Sequence, residues 1–167
     1  MSTPAAATPR YIAGTVSPIG EDRHPMSQPE PLLPPDIRSI ARSMEISDYT
    51  AEGVDEAIRN RYWPCVDELV KQGAQRITLA GLPIASQLGR SRVLALAHET
   101  SRRSGMTTDS HAEATIAAMH HLGMRRIAIA SRWSEQLNNA LMAYLRQADL
   151  EILTITSAGQ WAKQAFT

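Results

Sequence analysis

Gly73-Ala74-Gln75-Arg76-Ile77-Thr78-Leu79-Ala80-Gly81 and Gly123-Met124-Arg125-Arg126-Ile127-Ala128-Ile129-Ala130-Ser131 are the two stretches on which the fold turns. They share Gly, Arg, Ile and Ala at matching offsets, 73/123, 76/126, 77/127 and 80/130. Each reads as a glycine that stops a helix, a short buried strand, and a loop. Before Gly73, Asp48 or Thr50 supplies an N-cap, and Val54, Ala57, Ile58, Trp63, Val66, Leu69 and Val70 form an apolar stripe, which Pro64 should kink near Arg61. Before Gly123, Ala112 to Leu122 has helical spacing. Two such units, related by a pseudo-two-fold, would bring the exits Gly81-Leu82-Pro83 and Ser131-Arg132-Trp133 to comparable places around one cleft. Short αβ units also come to look alike by convergence, so the echo alone leaves both origins open.

Working outward, Tyr11 to Val16 has the length and residue types of a buried strand and ends at Ser17-Pro18. Residues 1–10 read as a tail, and the proline-rich run from Gly20 to Pro35 as an extended loop. Ile37 to Ile46 fits either a short strand or a helical turn. Ser91 to Arg103 and Ser134 to Gln147 read as helices, and Glu151 to Thr156 as a last strand. Strand and helix alternate along the chain, which predicts an α/β fold of parallel sheet units flanked by helices.

Composition removes several function classes. Seventeen basic residues balance seventeen acidic ones, so no global field gathers nucleic acid or an anionic membrane. Cys65 is the one cysteine, which excludes an internal disulfide framework and suits a reducing cytoplasm. No segment approaches the ~20 apolar residues that span a bilayer, so the expectation is a soluble, cytoplasmic protein. His120 and His121 diverge on a helix, and His24 and His98 lack ligand-like neighbours, so no metal site is expected.

In an open α/β sheet, ligands sit beyond the carboxyl ends of the strands. The candidate site residues are therefore Ser17 and Pro18, Gly81, Leu82 and Pro83, and Ser131, Arg132 and Trp133. Hydroxyls, a guanidinium and backbone N–H groups in such places suit a small carboxylate. Ordinary roles fit the same residues: Ser131 and Ser134 as caps, Arg132 solvated, Trp133 in the core. Thr107 to His111 leads into a helix, with Asp109 as its expected N-cap and His111 as a candidate proton carrier. Cys65 falls among apolar helix positions, away from the strand ends, and is expected to be structural.

With these blocks in place, four passages resemble the arylmalonate decarboxylase and maleate isomerase branch of the aspartate/glutamate racemase superfamily. They are TVSPIG from Thr15, YTAEGVDEAIRNR from Tyr49 with ELVKQGAQRITLAG from Glu68, ATIAAMHHLGMRRIAIAS from Ala114, and SEQLNNALMAYL from Ser134. The resemblance implies a two-lobed pseudo-symmetric racemase-like fold: a first lobe over 11–105 and a second, incomplete one over 106–167. It also implies chemistry without metal or organic cofactor, in which cysteine thiols act at the carbon next to a carboxylate of a small di-acid. In that family the loop matching Gly81-Leu82-Pro83 carries hydroxyls or a cysteine, and a carboxylate-binding tyrosine matches Trp133. A further catalytic cysteine lies on a later strand, beyond Thr167.

The expectation is thus a decarboxylase- or isomerase-like chain, C-terminally truncated and inactive for want of the catalytic thiols. The alternative is a non-catalytic protein that binds a small carboxylic acid or serves as an interaction module. A flavodoxin-like or response-regulator-like module should show an acidic cluster at the strand ends, and none is present there. Residues 158–167 begin like a helix, with Trp161, Ala162, Ala165 and Phe166, but have no following strand, so exposed apolar surface and self-association are expected.

Overall fold

A computed structural model of the chain describes residues 10–19 and 33–159. The expected tail up to residue 9, the proline-rich loop over 20–32 and the helical start over 160–167 lie outside the described residues. Four strands, β1 (Tyr11–Ser17), β2 (Ile37–Ser43), β3 (Arg76–Leu79) and β4 (Thr107–Ser110), form one sheet in the order β2-β1-β3-β4, with every pair parallel. Two more, β5 (Arg126–Ser131) and β6 (Glu151–Ser157), form a separate parallel pair. The strands expected near 11–16, 76–81, 126–131 and 151–156 are therefore parallel neighbours, two in each sheet.

Ile37–Ser43, whose sequence fits either a strand or a helical turn, is an edge strand whose register with β1 runs from Tyr11↔Ile37 to Ser17↔Ser43. Arg10, at the end of the expected tail, is tied to this sheet by an ion pair with Asp36 at 3.0 Å. Thr107–Ser110, expected to be a loop leading into a helix, is the fourth strand, so the first sheet runs on past Gly105. Asp109 is not a helix cap. Its carboxylate pairs with Arg76 and accepts from Thr78 Oγ1 at 2.7 Å across the neighbouring strand, and Ser110 instead caps the next helix by accepting from Glu113 N at 3.2 Å. A four-residue polar strand carries no hydrophobic alternation to betray it.

Thr50 is the N-cap of α1 (Ala51–Ala57), accepting from Gly53 N at 3.2 Å, while Asp48 braces Thr50 through its N–H and hydroxyl. The helix passes into a π-helical turn, Ile58–Tyr62, and continues as α2 (Trp63–Lys71). Pro64 has no N–H for the carbonyl four residues back, and its ring would crowd that carbonyl. A wider turn relieves both, at the expected place. Tyr62, fully buried at the end of this turn, shares a 2.8 Å hydrogen bond with Thr100 on α4 (Arg90–Ser104). α2 packs on β1 and β2 and α4 on β4; Val16, Ile77 and Leu79 share one face of the sheet, while Thr78 and the Arg76–Asp109 pair occupy the opposite face.

The repeated glycines end their helices alike. Gly73 N and Ala74 N donate to Val70 O and Leu69 O at 2.9 and 3.0 Å, and Gly123 N and Met124 N donate to His120 O and Met119 O at 3.0 and 2.9 Å. Both glycines have positive φ, +81° and +71°, which a Cβ would disfavour. After each, the arginine of the strand pairs with an acid on the neighbouring strand: Arg76 with Asp109, and Arg126 with Glu151 at 3.0 Å.

A helix not foreseen from the sequence, α3 (Leu82–Leu88), follows β3 and packs on α6 (Glu135–Arg146), which follows β5. Between them in sequence lies α5 (His111–His121). Leu69, Ile77 and Ile84 join Ile127, Leu137 and Leu141 in one apolar core that runs through both units. At its edge Glu113 on α5 takes both Arg90 Nε and Nη2 at 3.0 Å and the Tyr144 hydroxyl of α6 at 2.8 Å. Burial alone would raise the Glu113 carboxyl, but the hydrogen bonds from Arg90 and Tyr144 bring it below the usual range. Burial, then the neighbouring Glu113, push the Tyr144 phenol far up.

Glu113→Gln should keep the shape but lose the charge, at a cost of about 1–3 kcal/mol near neutral pH. A depressed carboxyl stabilises fully above its unfolded value, near 4.5, and loses that contribution as pH falls through the folded value. Urea unfolding of both proteins should therefore show a gap that closes on acidification below that value.

Candidate functional site

The strand order reverses between β1 and β3, since β2 lies to one side of β1 and β4 to the far side of β3. In such sheets the crevice opens at the carboxyl ends of those two strands. Their exits are Ser17-Pro18 and Ala80-Gly81, and they touch. A Cβ built on Gly81 would lie 3.2 Å from Pro18 Cγ and 3.1 Å from Ile84 Cγ1, and Gly81 itself has φ +100°. Only glycine makes this turn without strain. Leu82 and Pro83, expected to be loop, form the first turn of α3, where the missing N–H of proline costs nothing.

An open cleft of about 650 Å³ begins there, lined by Leu82 and Pro83 of α3, His111, Ala114, Thr115 and Ala118 of α5, and Trp133 of the β5–α6 turn. Three of the sequence-derived candidates, Leu82, Pro83 and Trp133, thus meet in one place with His111. The exits of the two repeated units face the same cleft. Ala114, Thr115 and Ala118 are not among the sequence-derived candidates, although 111, 114, 115 and 118 recur at the spacing of a single helix face.

The remaining candidates are engaged elsewhere. Ser17 is 1% exposed and its hydroxyl accepts from Ile19 N at 3.2 Å. Ser131 Oγ donates to Asn138 Oδ1 at 2.7 Å and accepts from Trp133 N at 3.3 Å. The buried Asn138 in turn donates to Trp133 O at 3.2 Å, as does Ser157 Oγ, so the turn that carries the indole is held from three sides. Ser134 caps α6 by accepting from Leu137 N at 3.4 Å. Arg132 is exposed on the same turn.

Cys65 is buried in α2, with Sγ donating to Ser43 O at 3.4 Å. Ser43 is the last residue of β2, so the thiol sits beside a strand end after all, because helix spacing in the sequence does not show which strand a helix face meets. It is not among the residues of the cleft. His120 shares a 2.9 Å hydrogen bond with Ala148 O, and among the described residues no group of His, Cys, Asp or Glu is arranged to hold a metal. Among the described residues His111 is the one ionisable side chain of the cleft wall; desolvation lowers its pKa, against a smaller pull upward from Asp109.

The family model described as arylmalonate decarboxylase matches residues 14–162. The chain belongs to the arylmalonate decarboxylase family. An arylmalonate decarboxylase from Bordetella bronchiseptica is 29% identical over 121 residues, which cover 71% of this chain and 49% of that one. A double variant of arylmalonate decarboxylase, solved in its liganded form, matches at 26% identity with TM-score 0.76 over 91% of this chain and 63% of that one. The maleate isomerase Iso from Pseudomonas putida S16 shares the fold, with TM-score 0.77 at 18% identity, over 93% of this chain and 66% of that one. The chain therefore spans about half the length of the curated decarboxylase and about two thirds of the solved structures. Membership in the decarboxylase family matches the resemblance carried by the four sequence passages.

Within the described residues no helix is long and apolar enough to cross a membrane. Gly81→Ala should cost about 1–3 kcal/mol, because it adds a methyl group at positive φ against Pro18 and Ile84. Equilibrium denaturation checks this, and a loss below about half a kcal/mol would show that the β3 exit relaxes easily.

Proposed function

We propose that the cleft of Leu82, Pro83, His111, Thr115 and Trp133 binds a small carboxylic acid with an apolar flank, and that the 167-residue chain does not turn over arylmalonates or maleate. The observation that carries this is the pairing of an apolar wall with one ionisable group at the crevice of a family whose solved members include liganded forms. Leu82, Pro83, Ala114, Ala118 and Trp133 offer surface for an aryl or alkyl group, and His111 and the indole N–H offer polar contacts. A solved maleate cis-trans isomerase from Nocardia farcinica holds a covalent succinylcysteine intermediate, which makes a di-acid the first ligand class to try.

Turnover is a different matter. Proton transfer at carbon needs a group poised near neutral pH and within reach of the substrate. Leu82 stands where the resemblance places a cysteine, and Cys65 is held in α2 against Ser43. Purified chain titrated calorimetrically with phenylmalonate and with maleate should give saturable heats for at least one of them. Trp133→Ala should weaken that binding about tenfold, equivalent to ~1.4 kcal/mol. Neither carbon dioxide nor fumarate should form above the buffer rate, with or without Cys65→Ala. Turnover abolished by Cys65→Ala would overturn the inactive reading.

A second reading, self-association, has its own observation. Leu122, Met124 and Leu153 are 72%, 38% and 50% exposed, around a parallel β5–β6 pair on which α6 packs. Parallel strands ordinarily have both faces covered. Sedimentation velocity should show a mass that rises with concentration, reduced by Leu153→Lys; a concentration-independent monomer would count against this reading.

A further inference from the structure

His111 is the first residue of α5, directly after the N-cap Ser110, and its side chain lines the cleft beside Leu82, Pro83 and Trp133. The other members of the wall offer little to an anion. Leu82, Pro83, Ala114 and Ala118 are apolar, and the Thr115 hydroxyl already donates to His111 O at 2.7 Å. The charges near His111 are engaged. Asp109 on β4 is held by Arg76 and Thr78, and Glu113, two residues along α5, is held by Arg90 and Tyr144. From α3 and from the β5–α6 turn the residues that face the cleft are Leu82, Pro83 and Trp133, with Arg132 exposed alongside.

We propose that His111 recognises the carboxylate as an imidazolium, so that binding in this cleft takes up a proton. The proposal rests on the reading of the cleft as a carboxylate site and names the group that makes it one. His111 is exposed at the cleft, yet two effects disfavour its charged ring: the protein packed against one side of it, and the positive end of α5, which opposes a cation in its first turn. An incoming carboxylate reverses the balance, since it supplies the opposite charge and closes the wet side of the ring. Between the lowered pKa of the free site and the raised pKa of the occupied one, each unit of acidification should tighten binding up to about tenfold. Above both values the dependence should vanish, and below both it should level off. Recognition by a titrating imidazole requires one carboxylate, so a monocarboxylate with an aryl group is the simplest ligand that should bind.

The test uses the whole chain, with phenylacetate as the acid and phenylacetamide as its neutral counterpart. Titration calorimetry at several points between about pH 6 and pH 8, in two buffers of different ionisation enthalpy, counts the protons taken up. Phenylacetate should bind with uptake approaching one proton and with affinity rising toward low pH, and phenylacetamide should show neither. His111→Gln keeps a side chain of similar reach without the titration, and should hold the acid at the weak high-pH affinity throughout. His98→Gln, on α4 and outside the cleft wall, should behave as the unaltered chain. Phenylacetate binding that depends on Trp133 but takes up no proton and ignores His111→Gln would overturn this proposal while leaving the cleft assignment standing. Absence of phenylacetate binding at every pH would overturn this proposal, and absence of phenylmalonate and maleate binding as well would overturn the cleft assignment.

Discussion

The fold depends on one carboxylate. Glu113 is the point at which α4, α5 and α6 meet, and without it Arg90 would place an unpaired cation at the start of an uncapped helix. A positive side chain there opposes the helix dipole, and Gly89 offers no side chain to cap the exposed N–H groups. The arrangement turns that disadvantage into a joint. Arg90 reaches Glu113 with two nitrogens and the carbonyl of Gln147, just past the end of α6, with a third at 2.6 Å. The Tyr144 hydroxyl, carried by a side chain 1% exposed, finds its acceptor in the same carboxylate. Each group would be costly to bury alone; together they satisfy one another.

The position of the cleft comes from that joint and from strand order. The order β2-β1-β3-β4 opens a crevice at the ends of β1 and β3, and the clamp sets α5 beside it. Trp133 arrives from the second unit because Asn138 and Ser157 hold the turn that bears it. The wall is thus assembled from three places in the chain. Among the described residues its one ionisable group, His111, stands on the helix that the clamp fixes.

What could be read in the sequence was what is local or repeated. The glycines at 73 and 123 announced two equal helix endings, and the strands after them lie within a residue or two of their expected positions. Pro64 announced its irregular turn. The candidate list of strand exits found Leu82, Pro83 and Trp133 but also included Ser17 and Ser131, whose hydroxyls are consumed by their own turns. What failed was short or distant. β4 is four polar residues whose strand character comes from Arg76 and Thr78 reaching Asp109 across the sheet. Cys65 touches Ser43, and Glu113 touches Arg90 and Tyr144, over separations of 22, 23 and 31 residues. A one-dimensional pattern holds no record of those meetings. The face of α5 that lines the cleft was visible as periodicity, but its partner was not.

The π-helical turn at Ile58–Tyr62 sets a limit on how this chain can vary in length. One residue more than an α-helical turn rotates the downstream helix by about 100°. That offset lets Val54 and Ala57 point into the core from α1 while Val66 and Leu69 do so from α2. Deletion of one residue within 58–62 would restore a regular helix and swing one half of the stripe toward water, so length in this segment is as constrained as composition. A loop on the surface absorbs an insertion or deletion by changing shape. This turn, closed on both sides by buried side chains, has to keep its count.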